Sequence, residues 1–218
     1  MENNEECFMK MYIIWDIVIQ KWSKSYYLCF LTKRGELNIE DKKHVTEYVG
    51  HDVVREALKA MVGQKFSYIC RCCDMVNFGF GDEVYAGKNR KGEDRYSPAY
   101  CVHVLSPFRI TKGNAVILST FDYNYSYDGE WTQPDIGEKN TCLYDSRAKE
   151  LIKEYSDEVI EKVTLTEYGD LIIDTANLSF SAFNLTSQAD DEAWRVMSMT
   201  DDVHYVCEAD RIRKEYYI

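Results

Sequence analysis

A chain of 218 residues, 45% hydrophobic and 29% charged, can bury a substantial core, and its 17 tyrosines argue against disorder over most of its length. It carries 26 Lys and Arg against 37 Asp and Glu, a formal charge of −11. A field of that sign repels phosphate backbones, which disfavours nucleic-acid binding, and speeds encounter with a basic partner.

The apolar run at 11–22 is broken by Asp16 and falls short of the roughly 20 residues that a membrane span needs. An acidic stretch rather than a basic one precedes it, so no export segment is read and a cytoplasmic location is expected. Its β-branched residues suggest a strand at 12–19, and 25–32 reads as another. Residues 38–49 read as a charged, loosely helical stretch. A clearer helix follows, with Asp52 as N-cap, an apolar face of Val53, Val54, Ala57, Leu58 and Met61, and Gly63 as terminator.

Three of the eight cysteines fall within 70–73. Structural zinc needs two close ligand pairs, and no second pair exists in the chain. Alternation instead makes 65–73 a strand, with Phe66, Tyr68, Cys70 and Cys72 on its apolar face and the thiols as small core residues. No metal or cofactor is expected. A second strand at 75–81 follows Asp74, and 86–95 reads as a polar loop. Strand character returns at 99–110, where Pro107 marks a strand end or edge.

Residues 115–120 form an apolar strand, and 121–127 alternate aromatic with polar side chains before an Asp128-Gly129 turn. After a loop at 135–142 come a short helix and a three-strand meander at 159–167, 170–175 and 179–185. The chain closes with a strand pair across 192–213. Short strands joined by turns predict an α+β fold of mostly antiparallel strands in meanders with a few short helices. It is read as one domain, with two lobes meeting near 135–150.

No phosphate-binding glycine loop, zinc-protease signature or nucleophile elbow is present. Cys101 and His103 share a strand face, but side chains two apart stand roughly 6–7 Å from each other, too far for a nucleophile and its base. Arginines and acids at strand ends, namely Arg71, Asp74, Arg109, Asp122, Glu192 and Arg195, either lock register as ion pairs or supply Arg71, Asp74, Arg109 and Arg195 to a polar pocket with His103. The strongest functional lead is residues 121–138. There Tyr123, Tyr125 and Tyr127 are placed on one strand face with Trp131 beyond the turn, and Asp122, Asp128, Glu130, Asp135 and Glu138 form an acidic rim. Rings supply contact area and acids supply steering, which suits a basic protein surface.

The phrases CRCCDMVNFGFG (70–81), YCVHVLSPFRI (100–110), YGDLIIDT (168–175) and DEAWRVM (191–197) resemble an uncharacterised family of bacterial cytoplasmic proteins of unknown function. The resemblance implies a compact strand-rich protein and carries over no catalytic residue. Small acidic proteins of this kind look like immunity proteins. The resulting expectation is a non-enzymatic protein-binding module, an immunity-type inhibitor of a basic toxin or other cationic partner. The alternative is a small-ligand binder or enzyme built on the polar pocket.

Overall fold

The computed structural model describes residues 44–88, 91–135 and 137–217. The strands expected at 12–19 and 25–32 lie outside the described residues. The described residues divide between two units, one holding Tyr85–Arg95 and a second, compact one of residues 44–84 with 96–217. Residues 135–150, where two lobes were expected to meet, lie inside the second unit.

The fold is α+β and dominated by antiparallel strands. In chain order the elements are β1 (His44–Val49), α1 (His51–Leu58), β2 (Phe66–Cys72), β3 (Met75–Lys88), β4 (Asp94–Val104), β5 (Phe108–Lys112) and β6 (Ala115–Ser119). Then follow α2 (Leu143–Tyr155), β7 (Ile160–Leu165), β8 (Leu171–Thr175), β9 (Leu178–Ala182), β10 (Glu192–Ser198), β11 (Val203–Glu208) and β12 (Arg211–Tyr217). One sheet runs β1-β12-β11-β10-β4-β3-β2 and the other β6-β5-β9-β8-β7. The expected meander is β7-β8-β9, turned by Gly169 at φ +85° and by the 176–177 pair.

The two sheets meet through aromatic rings. Phe78 of β3 lies 5.8 Å from Phe108 of β5 and 5.4 Å from Phe180 of β9, and Phe66 lies 5.0 Å from Phe180. Each Phe removes a large apolar area from water, and these edge-on and tilted pairs add about 0.5–1.5 kcal/mol each beyond burial. Val102, Val104, Trp194 and Val196 continue the same face toward Leu171 and Ile173.

Helix α2 buries Tyr144, Ala148, Leu151 and Tyr155, spaced to form one stripe, and packs them against β2, β6 and the 120–124 turn. Helix α1 buries Val54 and Leu58, and Arg55 of α1 donates Nε to the Leu165 carbonyl of β7 at 3.0 Å.

Four local expectations are corrected. Residues 44–49 are a strand rather than a helix, because Val45, Thr46, Tyr48 and Val49 favour extended backbone and pair in register with β12. Gly50, not Asp52, occupies the cap position of α1, and Asp52 sits in the first turn paired with Arg55 at 2.9 Å. The strand pair expected at the end of the chain has a third member, β12.

The fourth correction concerns the cysteines. A bulge between Phe66 and Tyr68 in the β2–β3 pairing reverses the alternation after Phe66. Arg71 is therefore the buried side chain, Cys70 and Cys73 are half-buried, and Cys72 is exposed. β2 is a strand, as expected, but its thiols are not core residues.

Candidate partner-binding loop

The segment 119–131 differs from its sequence reading at the first step. Residues 120–124 form a 3₁₀ turn instead of a strand. The Ser119 backbone N–H donates to Asp122 Oδ2 at 2.7 Å, the reciprocal capping arrangement that starts a helical turn. Asp122 is buried, and its other oxygen accepts from Arg147 of α2 at 2.8 Å. Tyr123 is pulled into the core, 4.9 Å from Tyr144 and 6.3 Å from Phe108. Burial pushes its hydroxyl well above the ordinary tyrosine range. Asp122 and Tyr123 therefore hold structure and do not belong to a partner-binding surface.

The chain re-emerges at Tyr125, whose carbonyl accepts from the Leu143 N–H at the start of α2 at 2.9 Å. Tyr125 bridges Trp131 in antiparallel fashion, and Ser126 bridges Cys142. Inside this small hairpin the Ser126 N–H donates to the Glu130 carbonyl at 2.6 Å, and the Gly129 N–H to the Ser126 carbonyl at 2.9 Å. Gly129 takes φ +97°, which the turn requires. Ser126 Oγ also donates to the Asp128 carboxylate and holds that group below its ordinary range.

The loop is thus rigid, yet it presents apolar surface. The Trp131 ring is 59% exposed and stands edge-on to Tyr125, with centroids 5.2 Å apart and planes at 83°. Tyr127 in the hairpin and Phe121 in the preceding turn are exposed, as are the residues Asp128, Glu130 and Asp135. Lys149 of α2 sits 5.2 Å over the Tyr127 ring and donates to its hydroxyl at 3.2 Å. The Lys149 ammonium thus forms a cation–π contact within the protein and fixes the Tyr127 ring.

Of the five residues of the alternative pocket, the structure brings together only His103 and Arg195. Arg71 faces the core side of its sheet, where it meets Asp145, and donates to the carbonyls of Cys73 at 3.1 Å and Glu138 at 2.6 Å. His103 and Arg195 stand directly opposite each other on β4 and β10, on the face away from Val102, Val104, Trp194 and Val196. Asp74 is exposed in the β2–β3 turn, and Arg109 is exposed on β5, 5.1 Å over the Phe183 ring.

Arg195 anchors a network of buried charge. It donates to Glu192 at 3.1 and 2.8 Å and to Glu215 at 2.9 Å, and it contacts His204 Nδ1 at 3.2 Å. The contact with Glu192, three residues away, is reached across a bulge in β10 that brings both side chains to one face. Burial, Arg195 and His204 lower His103 to about 3. So weak a base suits no proton abstraction at neutral pH. Cys101 meets Ser97 Oγ at 3.3 Å. Among the described residues no group of three or more His, Cys, Asp or Glu side chains is placed to hold a metal ion, and no helix is long and apolar enough to cross a membrane.

Comparison of the chain with models of protein families, with curated proteins and with solved structures finds no match. The class that the geometry defines is therefore an α+β protein of two antiparallel sheets bearing a rigid aromatic loop.

Proposed function

We propose that this protein is a non-enzymatic binding module whose 125–131 hairpin docks a basic protein partner. One observation carries the reading. Trp131 stays largely exposed although its ring stands edge-on against Tyr125 on a hairpin closed by the Ser126–Glu130 and Gly129–Ser126 hydrogen bonds. A large ring already held in one orientation loses little entropy on binding, and Trp and Tyr are the residues that most often dominate interface energy. The surrounding carboxylates and the overall charge of −11 favour a cationic surface as the partner. In its finer form the reading is an immunity-type inhibitor that covers a basic toxin in the bacterial cytoplasm, which rests on the resemblance of the four sequence phrases.

The test is affinity capture with the full chain from host lysate at low and at high salt, alongside the Tyr127→Ala/Trp131→Ala double variant. A basic protein retained stoichiometrically by the parent, weakened by salt and lost from the variant, supports the assignment. Equal capture of that protein by parent and variant removes the hairpin from the interface.

A further inference from the structure

A cleft of about 310 Å³ opens at one end of the two-sheet unit, far in sequence from the hairpin. Its walls are the β7–β8 turn with Glu167 and Tyr168, the stretch after β9 with Asn184, and the β11–β12 turn with Ala209 and Asp210. His51 at the start of α1 completes it. The volume matches the small end of the range for ligand sites, and loops at the end of a packed sandwich are where such sites are commonly built.

The walls are held in place. Asn184 donates Nδ2 to the Tyr168 carbonyl at 2.9 Å and to the Ala209 carbonyl, so one side chain ties two turns together. Both amide protons are spent there, and Asn184 Oδ1 is left enclosed with no hydrogen-bond donor. Gly169 has φ +85°, and a Cβ there would lie 2.9 Å from both Cys207 Sγ and Asn184 Nδ2. Its carbonyl accepts from Trp194 Nε1 at 2.7 Å, which anchors the turn to the core.

The charges of the lining are largely balanced within the protein. Glu167 pairs with Arg55 at 2.6 Å, while Arg211 pairs with Glu208 at 3.3 Å and with Asp190. Asp210 makes no ion pair among the described residues, so an anionic ligand would meet repulsion with no spare cation to offset it. What the cleft offers is an exposed ring, carboxylate acceptors at Asp210 and the exposed Glu167, and the imidazole of His51. Tyr168 is 82% exposed and stands at the rim. A ring that hydrocarbon faces can cover, set among acceptors for hydroxyl donors, fits a neutral polyhydroxylated molecule.

We infer that the cleft between the β7–β8 and β11–β12 turns is a saccharide-binding site, with Tyr168 as the stacking platform and Asp210 and Glu167 as hydroxyl acceptors. It is independent of the hairpin and of the protein-binding function.

The experiment is an amide NMR titration of the full chain with glucose, galactose, mannose, N-acetylglucosamine, maltose and cellobiose, each to about 0.1 M, where even millimolar affinity saturates. Putrescine serves as the cationic control. Saturable shifts at Gly169, Asn184 and Ala209 with at least one sugar are expected. Affinity should fall roughly tenfold in Tyr168→Ala and return in Tyr168→Phe, because the ring and not its hydroxyl stacks. Tyr168 is exposed, so thermal stability should not change in either variant. Absence of saturable shifts with every sugar, shifts unaltered in Tyr168→Ala, or saturation by putrescine alone each overturns the assignment.

Discussion

Arg71 and Asp145, 74 positions apart in the chain, form a two-point ion pair, with Nε 2.7 Å from Oδ1 and a terminal nitrogen 2.8 Å from Oδ2. Their side chains are 4% and 11% exposed. The pair joins β2 to the first turn of α2, and Asp145 also accepts from the Thr141 N–H at 3.0 Å. Removing one partner leaves the other charge buried, so Arg71→Met or Asp145→Leu should each cost about 3–5 kcal/mol. The double variant Arg71→Met/Asp145→Leu should recover much of that loss, because two apolar side chains need no compensation. A urea double-mutant cycle measures both, and single losses below about 1 kcal/mol would contradict the burial. Although burial opposes ionisation, Arg71 and the backbone at Cys142 hold Asp145 down to about 2. A depressed carboxyl stabilises the fold above its unfolded value near 4, and the contribution is lost as pH falls from there toward 2.

Much of this architecture is legible in the sequence, and the failures have local causes. The meander at 159–185 is clear because Leu171, Ile173 and Thr175 alternate with half-buried residues and are closed by turn residues. The face of β2 is not, because a bulge between Phe66 and Tyr68 shifts the phase by one residue and leaves no mark in composition. At 121–127 the Tyr alternation imitates a strand, while the signal that decides the outcome is the pair Ser119 and Asp122, spaced as a capping box. Of the proposed contact residues, Tyr125, Tyr127, Asp128, Glu130 and Trp131 stay together on the hairpin. The cleft is invisible to motif reading because its walls come from turns scattered from His51 to Arg211.

The division between buried and exposed aromatics is directly measurable. Tyr123→Ala empties a core position between Phe108 and Tyr144 and should cost about 3–5 kcal/mol. Trp131→Ala removes a ring whose one aromatic contact among the described residues is the edge-on Tyr125, so its cost should be about 1 kcal/mol. Chemical unfolding of both variants decides the point. Comparable losses at the two sites would show that the hairpin is part of the folding core and not a presented surface.

His103 makes the protein sensitive to mild acid. Lowered to about 3 by burial, Arg195 and His204, its imidazole stays neutral in the folded state, whereas the unfolded chain takes up a proton below about pH 6.5. The unfolded state then binds more protons, so stability falls as pH drops from about 6.5 toward 3. This window lies above the one set by Asp145. The His103 ring resonances should stay constant from pH 8 to about 5, and His103→Gln should flatten the decline in stability through the same range. A midpoint near 6.5 for His103 would mean that its ring is in contact with solvent.

The thiols provide a chemical map of the reversed β2 face. Cys72 is exposed, whereas Cys101, Cys142 and Cys207 are buried. Burial, with Asp170, Glu208 and Glu192 nearby, pushes the Cys207 thiol up to about 12, and burial also raises Cys142. Alkylation needs both access and thiolate; all three buried thiols lack access, and Cys142 and Cys207 are also held in the thiol form. Brief treatment of the native protein with iodoacetamide, followed by peptide mass mapping, should label Cys72 well before these three. Full labelling of the buried set should require denaturant. If Cys207 reacted at the rate of Cys72, the wall beneath Gly169 would be open to solvent. The Trp194 anchor of the β7–β8 turn, which shapes one side of the cleft, would then be loose as well.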